Sequence, residues 1–506
     1  MLRQVRHHLF ILNYLGSLLL IFGLLFILPL VVQLMYHEHY PAYHLLTAFL
    51  LPGGCLVAVG FILQRSVPHR VPTIKEGMLI TALAWLAATA VSALPYIVGL
   101  NKPVIDALFE AASGITATGM TVFTGLDRLP RCMLFWRSLT QWLGGIGILT
   151  FFLVVSFRGG STAANLFGAE GNKITTRRPV PGILNTVKII WSIYLVFSGS
   201  CFLLLWLAGM TPFDALNHTL TAVSTGGFST HDASIAYFSG RPTASLLEYI
   251  LVFFMLMGGI NFLIHFKLVT GDWRAIYQDF EIRWFWGLLI GTTLLIIVDH
   301  LCHAPGGRLA AGQHLHLDPG ELHQLGRQTL FQVSAILTST GYTVKDINSP
   351  FFPPMAKQLF ILLMFVGGCA GSTAGGFKVL RLGILWQVLV AELQRSISPP
   401  RRVLPIVIQG HIIDPREIRR VTALLCAWLL LIMVGTAVGN FFSDLNNWQS
   451  FSGMLSAVSN MGPAYFTVDK LASLHPVIKL NYIFGMLVGR LEILPFFVLF
   501  SRQVWR

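Results

Sequence analysis

Long runs of apolar residues recur along the chain, separated by short polar segments. A helix needs about 20 apolar residues to cross the hydrocarbon core of a bilayer, and ten runs approach that length. They lie at 9–36, 45–63, 78–99, 134–157, 187–209, 246–266, 284–301, 356–384, 421–442 and 477–500. The pattern predicts an all-α polytopic membrane protein. The first run is too long for a signal-peptide core, so we expect it to remain in the mature protein.

The composition supports this class and excludes others. Only 11% of the 506 residues are charged and 54% are hydrophobic, whereas roughly 25% of the residues in a soluble protein are charged. Too little charge is present to cover a water-exposed surface, which excludes disorder, a fibrous repeat and an ordinary cytosolic enzyme. The six cysteines contain no C-x-x-C pair, so neither a zinc ribbon nor a disulfide framework is indicated.

The basic residues predict the orientation of the spans. Of the 35 Lys and Arg residues, 23 fall on the side of the N-terminus, 11 fall on the opposite side and Arg490 falls inside a span. The positive side of a membrane protein faces the cytoplasm, so both termini are expected there. Because these charges are spread over separate loops, the net charge of +13 gives no reason to expect a nucleic-acid partner.

Four related strings follow alternate spans, on the outer side of the membrane. They are Asp106–Met120, Asp214–Phe228, Gln328–Tyr342 and Gln449–Pro463. Aligned on one glycine each, they place Gly119, Gly226, Gly341 and Gly462 at equivalent positions, spaced by 107, 115 and 121 residues. A second match follows each glycine by 25 to 32 residues: Gly144–Gly145, Gly258–Gly259, Gly367–Gly368 and Gly489–Arg490. Two matches in the same order indicate an internal repeat.

The repeat predicts four pseudo-fourfold-related units, each made of a helix, a re-entrant pore helix with a filter loop, and a second helix. A two-helix hairpin at the N-terminus lies outside it. The predicted divisions are 1–76 for the hairpin, 77–160 for repeat 1, 161–270 for a cytoplasmic loop and repeat 2, 271–384 for repeat 3, and 385–506 for a second cytoplasmic loop and repeat 4.

The short apolar stretch in each unit predicts a pore. About ten helical residues rise about 15 Å, half of the hydrocarbon core, so the chain must return in a loop. Such a loop is tolerated at membrane depth where it lines a wet cavity, and four of them can present carbonyl rings to a cation. The predicted ion-binding residues are Thr116, Ala117, Thr118, Gly119, Val223, Ser224, Thr225, Gly226, Thr338, Ser339, Thr340, Gly341, Ser459, Asn460, Met461 and Gly462. These strings hold no charged side chain, which favours a monovalent ion.

The third unit has a glycine-rich stretch within the span that follows its filter. Gly367–Gly376 contains five glycines, each of which costs a helix interior about 1 kcal/mol relative to alanine. We expect the helix to break there and the loop to act as a gate. Close helix packing through small residues is the alternative. The predicted gate residues in this stretch are Gly367, Gly368, Gly371, Ser372, Thr373, Gly375 and Gly376.

The fourth unit has Arg490 where the other units have glycine, and Glu492 follows it. A charge in the middle of a membrane costs about 2.5 to 3.5 kcal/mol on insertion scales and usually has a function. We expect Arg490 to lie below the filter and to form, together with Glu492, the intracellular barrier of the gate. An Arg490–Glu492 or arginine–carbonyl contact that only orients helices is the alternative.

Five strings together resemble the Trk/Ktr/HKT superfamily of potassium transporters, and the extra hairpin is similar to that of the membrane subunit of the bacterial Trk system. They are 113–130, 141–148, 224–230, 367–379 and 459–463. The resemblance implies a homodimer, potassium flux, the glycine-rich loop as gate, the arginine as barrier, and a separate nucleotide-binding regulatory subunit of the TrkA type. It also implies K⁺ over Na⁺, since sodium-favouring plant relatives have serine in the first filter. Loops 158–186 and 385–420 are the expected docking surface.

Other functions have less support in the sequence. His37, His39, His44, His314, His316 and His323 are candidate metal ligands of a membrane enzyme, but no carboxylate or cysteine accompanies them in a compact motif. An enzyme would also leave the fourfold repeat unexplained. Potassium or sodium cotransport coupled to protons or sodium is the alternative to channel-like conduction. We expect no organic cofactor in this chain, with K⁺ as the only bound metal.

Overall fold

A computed structural model describes residues 9–38, 43–68, 70–147, 183–303, 319–399, 405–409 and 411–501. This part of the chain is helical, apart from the antiparallel strands Val407–Ile408 and His411–Ile412. The N-terminal hairpin consists of Phe10–Leu25 and Ile27–Met35, which follow one another, and Leu45–Ser66. Most of the predicted docking loop 158–186 and the histidines His39, His314 and His316 lie outside the described residues.

Each repeat has a first helix, a re-entrant helix and a second helix. The first helices are Ile74–Leu100, Ile183–Leu207, Phe280–His303 and Pro415–Phe442. The re-entrant helices are Val104–Ile115, Pro212–Val223, Pro319–Leu337 and Asn447–Ser459. The second helices are Arg131–Ile146, Ala244–Gly259, Pro354–Val366 and Pro476–Arg490. The predicted fold class, a polytopic all-α membrane protein, is therefore confirmed.

Shorter elements connect the repeats. The helices Phe262–Val269 and Ala275–Gln278 follow repeat 2, Val379–Ser396 follows the glycine-rich loop of repeat 3, Val468–Ser473 precedes the last second helix, and Leu494–Phe497 follows it. Three 3₁₀ turns complete the fold, at Leu126–Arg128, Ser234–Phe238 and Val498–Phe500.

The ten predicted spans are not ten continuous helices. Among the described residues, six helices are long and apolar enough to cross a membrane, and a bent helix pair makes a seventh span if it counts as one. The six are the four first helices and the two arms of the hairpin. The other four predicted spans are the second helices, which have only 13 to 16 residues.

All four second helices end at the glycine pair, whereas the sequence predicted a break in repeat 3 alone. The second helix of repeat 1 ends before Gly147, which has φ 101°, and the second helix of repeat 3 ends before Gly367, which has φ 72°. The chain of repeat 2 turns by 102° between Gly259 and Phe262. Continuous spans over 134–157, 246–266 and 477–500 were therefore wrong predictions. The physical reason differs between the repeats. In repeat 1 Gly147 takes a left-handed backbone angle that other residues rarely adopt, and in repeat 2 Gly258 and Gly259 lie against Val223 O and the Thr338 side chain. In repeat 4 the helix is interrupted by Glu492 and Ile493, with φ 56° and 67°.

The hairpin packs against repeat 1 through glycines and aromatic rings. A Cβ on Gly23 would lie 2.8 Å from the carbonyl oxygen of Gly53, so the two arms touch backbone to backbone. Phe26 packs edge to face on Trp136 of the first repeat's second helix, with ring centroids 4.7 Å apart. The outer surface exposes large apolar side chains, such as Leu207 and Leu430, as a protein surrounded by lipid requires. The re-entrant helices lie buried at the centre.

Candidate functional site

Every re-entrant helix ends in the same turn. In repeat 1 the N–H of Ala117 donates to Gly114 O and the N–H of Thr118 to Ser113 O, both at 2.9 Å. This pair of bonds is a Schellman motif, in which the residue after the helix cap takes a left-handed conformation. That residue is Ala117 in repeat 1, and its equivalents are Thr225, Ser339 and Asn460, with φ between 50° and 53°. None is glycine, so the surrounding structure must hold each of them in place.

The turns give the alignment of the repeats directly and correct it by one residue in repeat 2. Val223 is the last residue of its helix, and Thr225 occupies the position of Ala117. The glycine equivalent to Gly119 is therefore Gly227, with φ 78°, and not Gly226. Four segments correspond to one another and are called ring segments below: 116–119, 224–227, 338–341 and 459–462. The sequence Ser-Thr-Gly-Gly allowed two alignments, and the alignment on Thr-Gly was the wrong one.

The four ring segments touch in cyclic order. A Cβ placed on Gly119 would overlap the carbonyl oxygen of Gly226, one on Gly227 would overlap Thr340 O, and one on Gly341 would overlap Met461 O. The circle closes at Gly462, whose Cβ would lie 2.9 Å from Thr118 O. In each case the fourth residue of one segment meets the third residue of the next. The four segments therefore form a closed ring of backbone contacts.

The ring segments are rich in polar groups but carry no charged side chain. The Thr116 and Thr118 hydroxyls share a hydrogen bond of 2.6 Å, and those of Thr338 and Thr340 share one of 2.8 Å, all four side chains being fully buried. In repeat 4 the amide of Asn460 donates to Thr118 Oγ1 at 2.9 Å. The C-termini of four helices also meet here, and each carries a partial negative charge. The site therefore favours cations.

The glycine pairs hold the ring from below. A Cβ on Gly144 would overlap Ile115 O at the end of its own re-entrant helix, and one on Gly258 would lie 2.9 Å from Val223 O. The second glycine of the pair faces the next repeat, since a Cβ on Gly145 would lie 2.6 Å from Ser224 Cβ. In repeat 2 the second glycine likewise faces the next repeat, since a Cβ on Gly259 would lie 2.7 Å from Thr338 Cγ2. The second helices of repeats 1 and 2 thus each support two neighbouring repeats of the ring.

The glycine-rich loop, Gly367–Gly376, passes under the ring. Its Thr373 hydroxyl donates to Gly258 O at 3.0 Å and accepts from Thr225 Oγ1 of the second ring segment at 3.2 Å. Further along, the N–H of Gly375 donates to Ser339 Oγ of the third ring segment at 2.5 Å. The predicted break in repeat 3 is present, and the loop lies against two of the four segments.

Two more contacts anchor this loop to repeat 2. The N–H of Cys369 donates to Gly259 O at 2.9 Å, and Gly371 O accepts from the N–H of Phe262 at 3.2 Å. The broken helices of repeats 2 and 3 therefore satisfy part of each other's backbone, which makes both breaks tolerable in a membrane. Of the remaining predicted gate residues, Gly367 and Gly376 pack backbone to backbone, and Gly368 and Ser372 lie on the inner turn of the loop.

Arg490 reaches the same place from repeat 4. Its guanidinium donates to Thr373 O at 2.8 Å, to Gly144 O at 2.7 Å and to Gly145 O at 2.5 Å. The carboxylate of Glu492, in turn, pairs with Arg381. A small cavity of about 70 Å³ remains under the ring, lined by Trp85, Gly375, Lys378, Asn460, Arg490 and Glu492, among others.

The comparisons with known proteins agree with this architecture. A model of the TrkH family, described as cation transport proteins, matches residues 57–505. The Trk system potassium uptake protein TrkH of Salmonella typhimurium is 34% identical and aligns over 97% of this chain and 98% of its own length. The crystal structure of the potassium transporter TrkH from Vibrio parahaemolyticus superposes with a TM-score of 0.81 at 30% identity, over 98% of this chain and 99% of that one.

The chain belongs to the TrkH family. A cation transporter of Methanocaldococcus jannaschii, 31% identical over 97% of this chain, shows that the resemblance extends to an archaeon. The predictions of a multi-pass membrane protein and of a transport protein that is not an enzyme are thereby confirmed.

Several residues of the site in this TrkH-family chain escaped the sequence analysis. Glu281 lies at the start of the first helix of repeat 3. It accepts hydrogen bonds from Ala370 N, within the glycine-rich loop, at 2.6 Å and from Leu380 N, just after the loop, at 3.1 Å. Gln141 hydrogen-bonds the second ring segment. Gln141 has a polar side chain inside the apolar run 134–157, and that was the signal that could have found it. Glu281 lies just before the run 284–301, and no such signal marks it.

A buried ion pair also lies behind the ring. Arg137 Nε donates to Glu110 Oε1 at 2.7 Å, and both side chains are at most 1% exposed. Thr121, just past the first ring segment, donates to the same carboxylate at 2.9 Å. The pair therefore fixes the outer end of that segment.

The candidate metal ligands of an enzyme are not supported. Within the described ranges no three His, Cys, Asp or Glu side chains are grouped so that they could hold a metal ion. His323, one of the candidates, shares a hydrogen bond of 3.1 Å with Tyr249 instead.

Proposed function

We propose that this chain conducts potassium ions into the bacterial cytoplasm through the ring of four segments. The observation that carries the proposal is the cyclic contact of the ring segments. Backbone groups surround the passage with partial negative charge and without ionised side chains, which suits a weakly bound monovalent cation. The relatives named as potassium uptake proteins supply the identity of the ion.

The ion-binding residues of this proposal are those of the ring segments. They include the fifteen predicted residues that fall there, with Gly227 added and Val223 removed because it belongs to the helix. Potassium is the cargo, and the proposal needs no organic cofactor in this chain. The proposal keeps the predicted division of the chain into an N-terminal hairpin and four repeats, with boundaries after residues 76, 160, 270 and 384.

The glycine-rich loop is the gate, and Arg490 is the barrier. Thr373 lies directly against the second ring segment. The charged guanidinium of Arg490 donates a hydrogen bond to the carbonyl oxygen of Thr373. A fixed positive charge below the ring repels a cation that leaves the ring. Movement of the loop would separate Thr373 from Arg490 and so weaken the barrier. Helix Val379–Ser396 leads from this loop to the segment 385–420.

A partner can act on the gate through that helix. We propose a homodimer in the inner membrane, with both termini in the cytoplasm and a nucleotide-binding regulatory subunit of the TrkA type docked on the cytoplasmic loops. The Trk system to which the relatives are assigned by name supports a multi-subunit assembly. Co-purification of a TrkA-type subunit with the chain, and loss of that association when segment 385–420 is replaced, would test the docking surface.

The function is tested by rubidium or potassium uptake into cells that lack their own uptake systems. Replacing Gly119 or Gly341 by alanine should abolish uptake, because a Cβ there overlaps the neighbouring segment. Gly125 is the matched control: it also has a positive φ, 73°, but nothing lies within 4 Å of its Cβ position. Gly125→Ala should retain uptake. Growth at low potassium that survives both ring substitutions would overturn the proposal.

Coupled cotransport makes a different prediction in the same cells. The ring segments carry no carboxylate that could accept a coupled proton, so uptake should follow the membrane potential alone. Potassium uptake that a proton or sodium gradient drives at zero membrane potential would contradict simple conduction and support cotransport.

A further inference from the structure

Gln141 binds the second ring segment on both sides of its glycine. Its side chain lies on the second helix of repeat 1 and is fully buried. The amide Nε2 donates to Gly226 O at 2.6 Å, and the amide Oε1 accepts from Phe228 N at 3.0 Å. Gly227, the ring glycine of repeat 2, lies between these two bonds. One side chain thus fixes the backbone before and after the narrowest point.

The absence of a side chain at Gly226 leaves room for this amide. The three atoms nearest to a Cβ placed on Gly226 all belong to Gln141, with Cδ at 2.5 Å and Nε2 at 2.9 Å. Gly226 does not adopt a positive φ, so the backbone conformation itself would accept a side chain. The other ring segments have one at this position: Thr118, Thr340 and Met461. In the second segment Gly226 has no side chain at this position, and the amide of Gln141 fills the space instead.

The other repeats have no such amide. Three residues before the glycine pair, where repeat 1 has Gln141, the equivalents are Met255, Met364 and Met486, and all three are buried. Burying an amide costs free energy unless its hydrogen bonds are made, so at Gln141 the two bonds to the ring compensate for a cost that methionine does not incur. This contact makes the ring asymmetric.

The same helix holds the segment at a further point. Arg137, one turn before Gln141, donates from Nη1 to Ser229 O at 3.1 Å, and its guanidinium lies over the Phe228 ring, 4.1 Å from the centroid. The ion pair with Glu110 keeps this guanidinium in place. The backbone from Gly226 to Ser229 is therefore bonded at three successive places to one rigid helix.

We propose that Gln141 is a positioning residue that sets the width of the ring and thereby its preference for potassium over sodium. This inference rests on the proposed function. Carbonyl oxygens that are held at a fixed distance replace the hydration shell of the larger ion, whereas a segment that is free to move inward also accommodates the smaller one. Loss of the two bonds therefore acts first on the choice of ion and less on the total flux.

The test measures potassium and sodium flux through the purified full-length protein in liposomes. Gln141→Met gives repeat 1 the residue of the other repeats. Two hydrogen bonds of ordinary strength are lost, so the ratio of potassium to sodium flux should fall roughly tenfold, while potassium flux falls by less than about threefold. Met255→Leu, at the equivalent position of repeat 2, is the control and should leave the ratio unchanged.

A double variant separates positioning from general damage. Gly226→Thr alone should abolish flux because its side chain collides with the amide of Gln141. Combined with Gln141→Met, which removes that amide, the same threonine should restore potassium flux and leave the ratio low. If Gln141→Met does not fold, Gln141→Leu replaces it, since leucine is uncharged and cannot donate to Gly226 O, and it should lower the ratio in the same way.

The outcomes distinguish this inference from the proposed function. A normal ratio in Gln141→Met or Gln141→Leu, with potassium flux intact, overturns the positioning role and leaves conduction standing. Failure of the double variant to regain flux overturns the fit between Gln141 and Gly226. Absence of potassium flux in the unmodified protein refutes the proposed function itself.

Discussion

The guanidinium of Arg490 donates a hydrogen bond of 2.8 Å to the carbonyl oxygen of Thr373. A residue of the fourth repeat thus binds the loop that interrupts the third. The same guanidinium binds Gly144 and Gly145 of the first repeat, and Thr373 binds Gly258 of the second. All four repeats therefore meet in one polar network immediately below the ring.

Replacing Arg490 by alanine should raise potassium flux. The substitution removes a positive charge from below the ring. It also removes the hydrogen bond to Thr373 of the loop, and a hydrogen bond of a charged group is worth about 1.5 to 3 kcal/mol. We therefore expect a rise of roughly tenfold in uptake without a regulatory subunit. Arg490→Lys keeps the charge but not the planar arrangement of donors, and its flux should stay within about threefold of the unmodified protein. Unchanged flux in properly inserted Arg490→Ala would exclude the barrier role.

The alignment of repeat 2 can be tested with two neighbouring glycines. Gly227→Ala places a Cβ against the backbone of Thr340 and strains a φ of 78°, so uptake should fall at least about a hundredfold. Gly226→Ala meets only the side chain of Gln141, which is able to move, and should retain at least about a tenth of the uptake. The reverse order would restore Gly226 as the ring glycine.

Glu281 should hold the glycine-rich loop in the conformation observed here. Its carboxylate accepts hydrogen bonds from Ala370, within the loop, and from Leu380, just after it. Glu281→Ala removes both and should increase basal rubidium uptake severalfold. Glu281→Gln keeps one acceptor oxygen and should have a smaller effect. Equal uptake in all three proteins would show that these bonds do not restrain the gate.

A pH dependence is expected from the outer face, where His231 pairs with Asp127 and lies 3.5 Å from Asp214. Burial lowers the pKa of His231, but the hydrogen bonds and charges of the two carboxylates outweigh it and raise the pKa above 6.5. Burial likewise raises the pKa of Asp127, and the bond from His231 outweighs it and brings the pKa below 3.8. Repeats 1 and 2 are thus linked by a charged pair at neutral and mildly acidic pH.

The sign of the effect follows from these directions. A raised histidine pKa stabilises the fold fully below pH 6.5, and the contribution is lost as the pH rises through the folded pKa. A lowered aspartate pKa stabilises it above pH 3.8, and that contribution is lost as the pH falls through the folded pKa. The thermal unfolding temperature should therefore fall as the pH rises from about 6.5 through the raised pKa of His231, and by less in His231→Gln. Identical pH profiles would contradict the pairing.

The sequence was enough to predict the fourfold repeat because glycine marks positions that no other residue can occupy. Gly119 and Gly341 meet a neighbouring backbone with a positive φ, and such a requirement leaves a recognisable string of residues. The glycine-rich loop of repeat 3 was predictable for the same reason. Alignment in repeat 2 was not, since two adjacent glycines fit the string equally well and only the end of the helix at Val223 decides between them.

Contacts between repeats were beyond the reach of sequence patterns. Arg490 was expected below the ring, but its bonds to Gly144 and Thr373 depend on how three repeats meet. The breaks in the second helices of repeats 1, 2 and 4 were missed because their runs remain apolar and carry fewer glycines than repeat 3. A break there is tolerated because partners from another repeat satisfy the backbone, as Gly259 O does with Cys369 N.

The central claim is that the four ring segments form the cation-binding passage. Its most direct test is a crystal structure of the protein grown in rubidium, with anomalous differences measured at the rubidium edge. We predict a peak enclosed by Gly119, Gly227, Gly341 and Gly462, which disappears in a variant with a bulkier residue at Gly119. An empty ring, together with a rubidium peak elsewhere in the membrane region, would contradict the account.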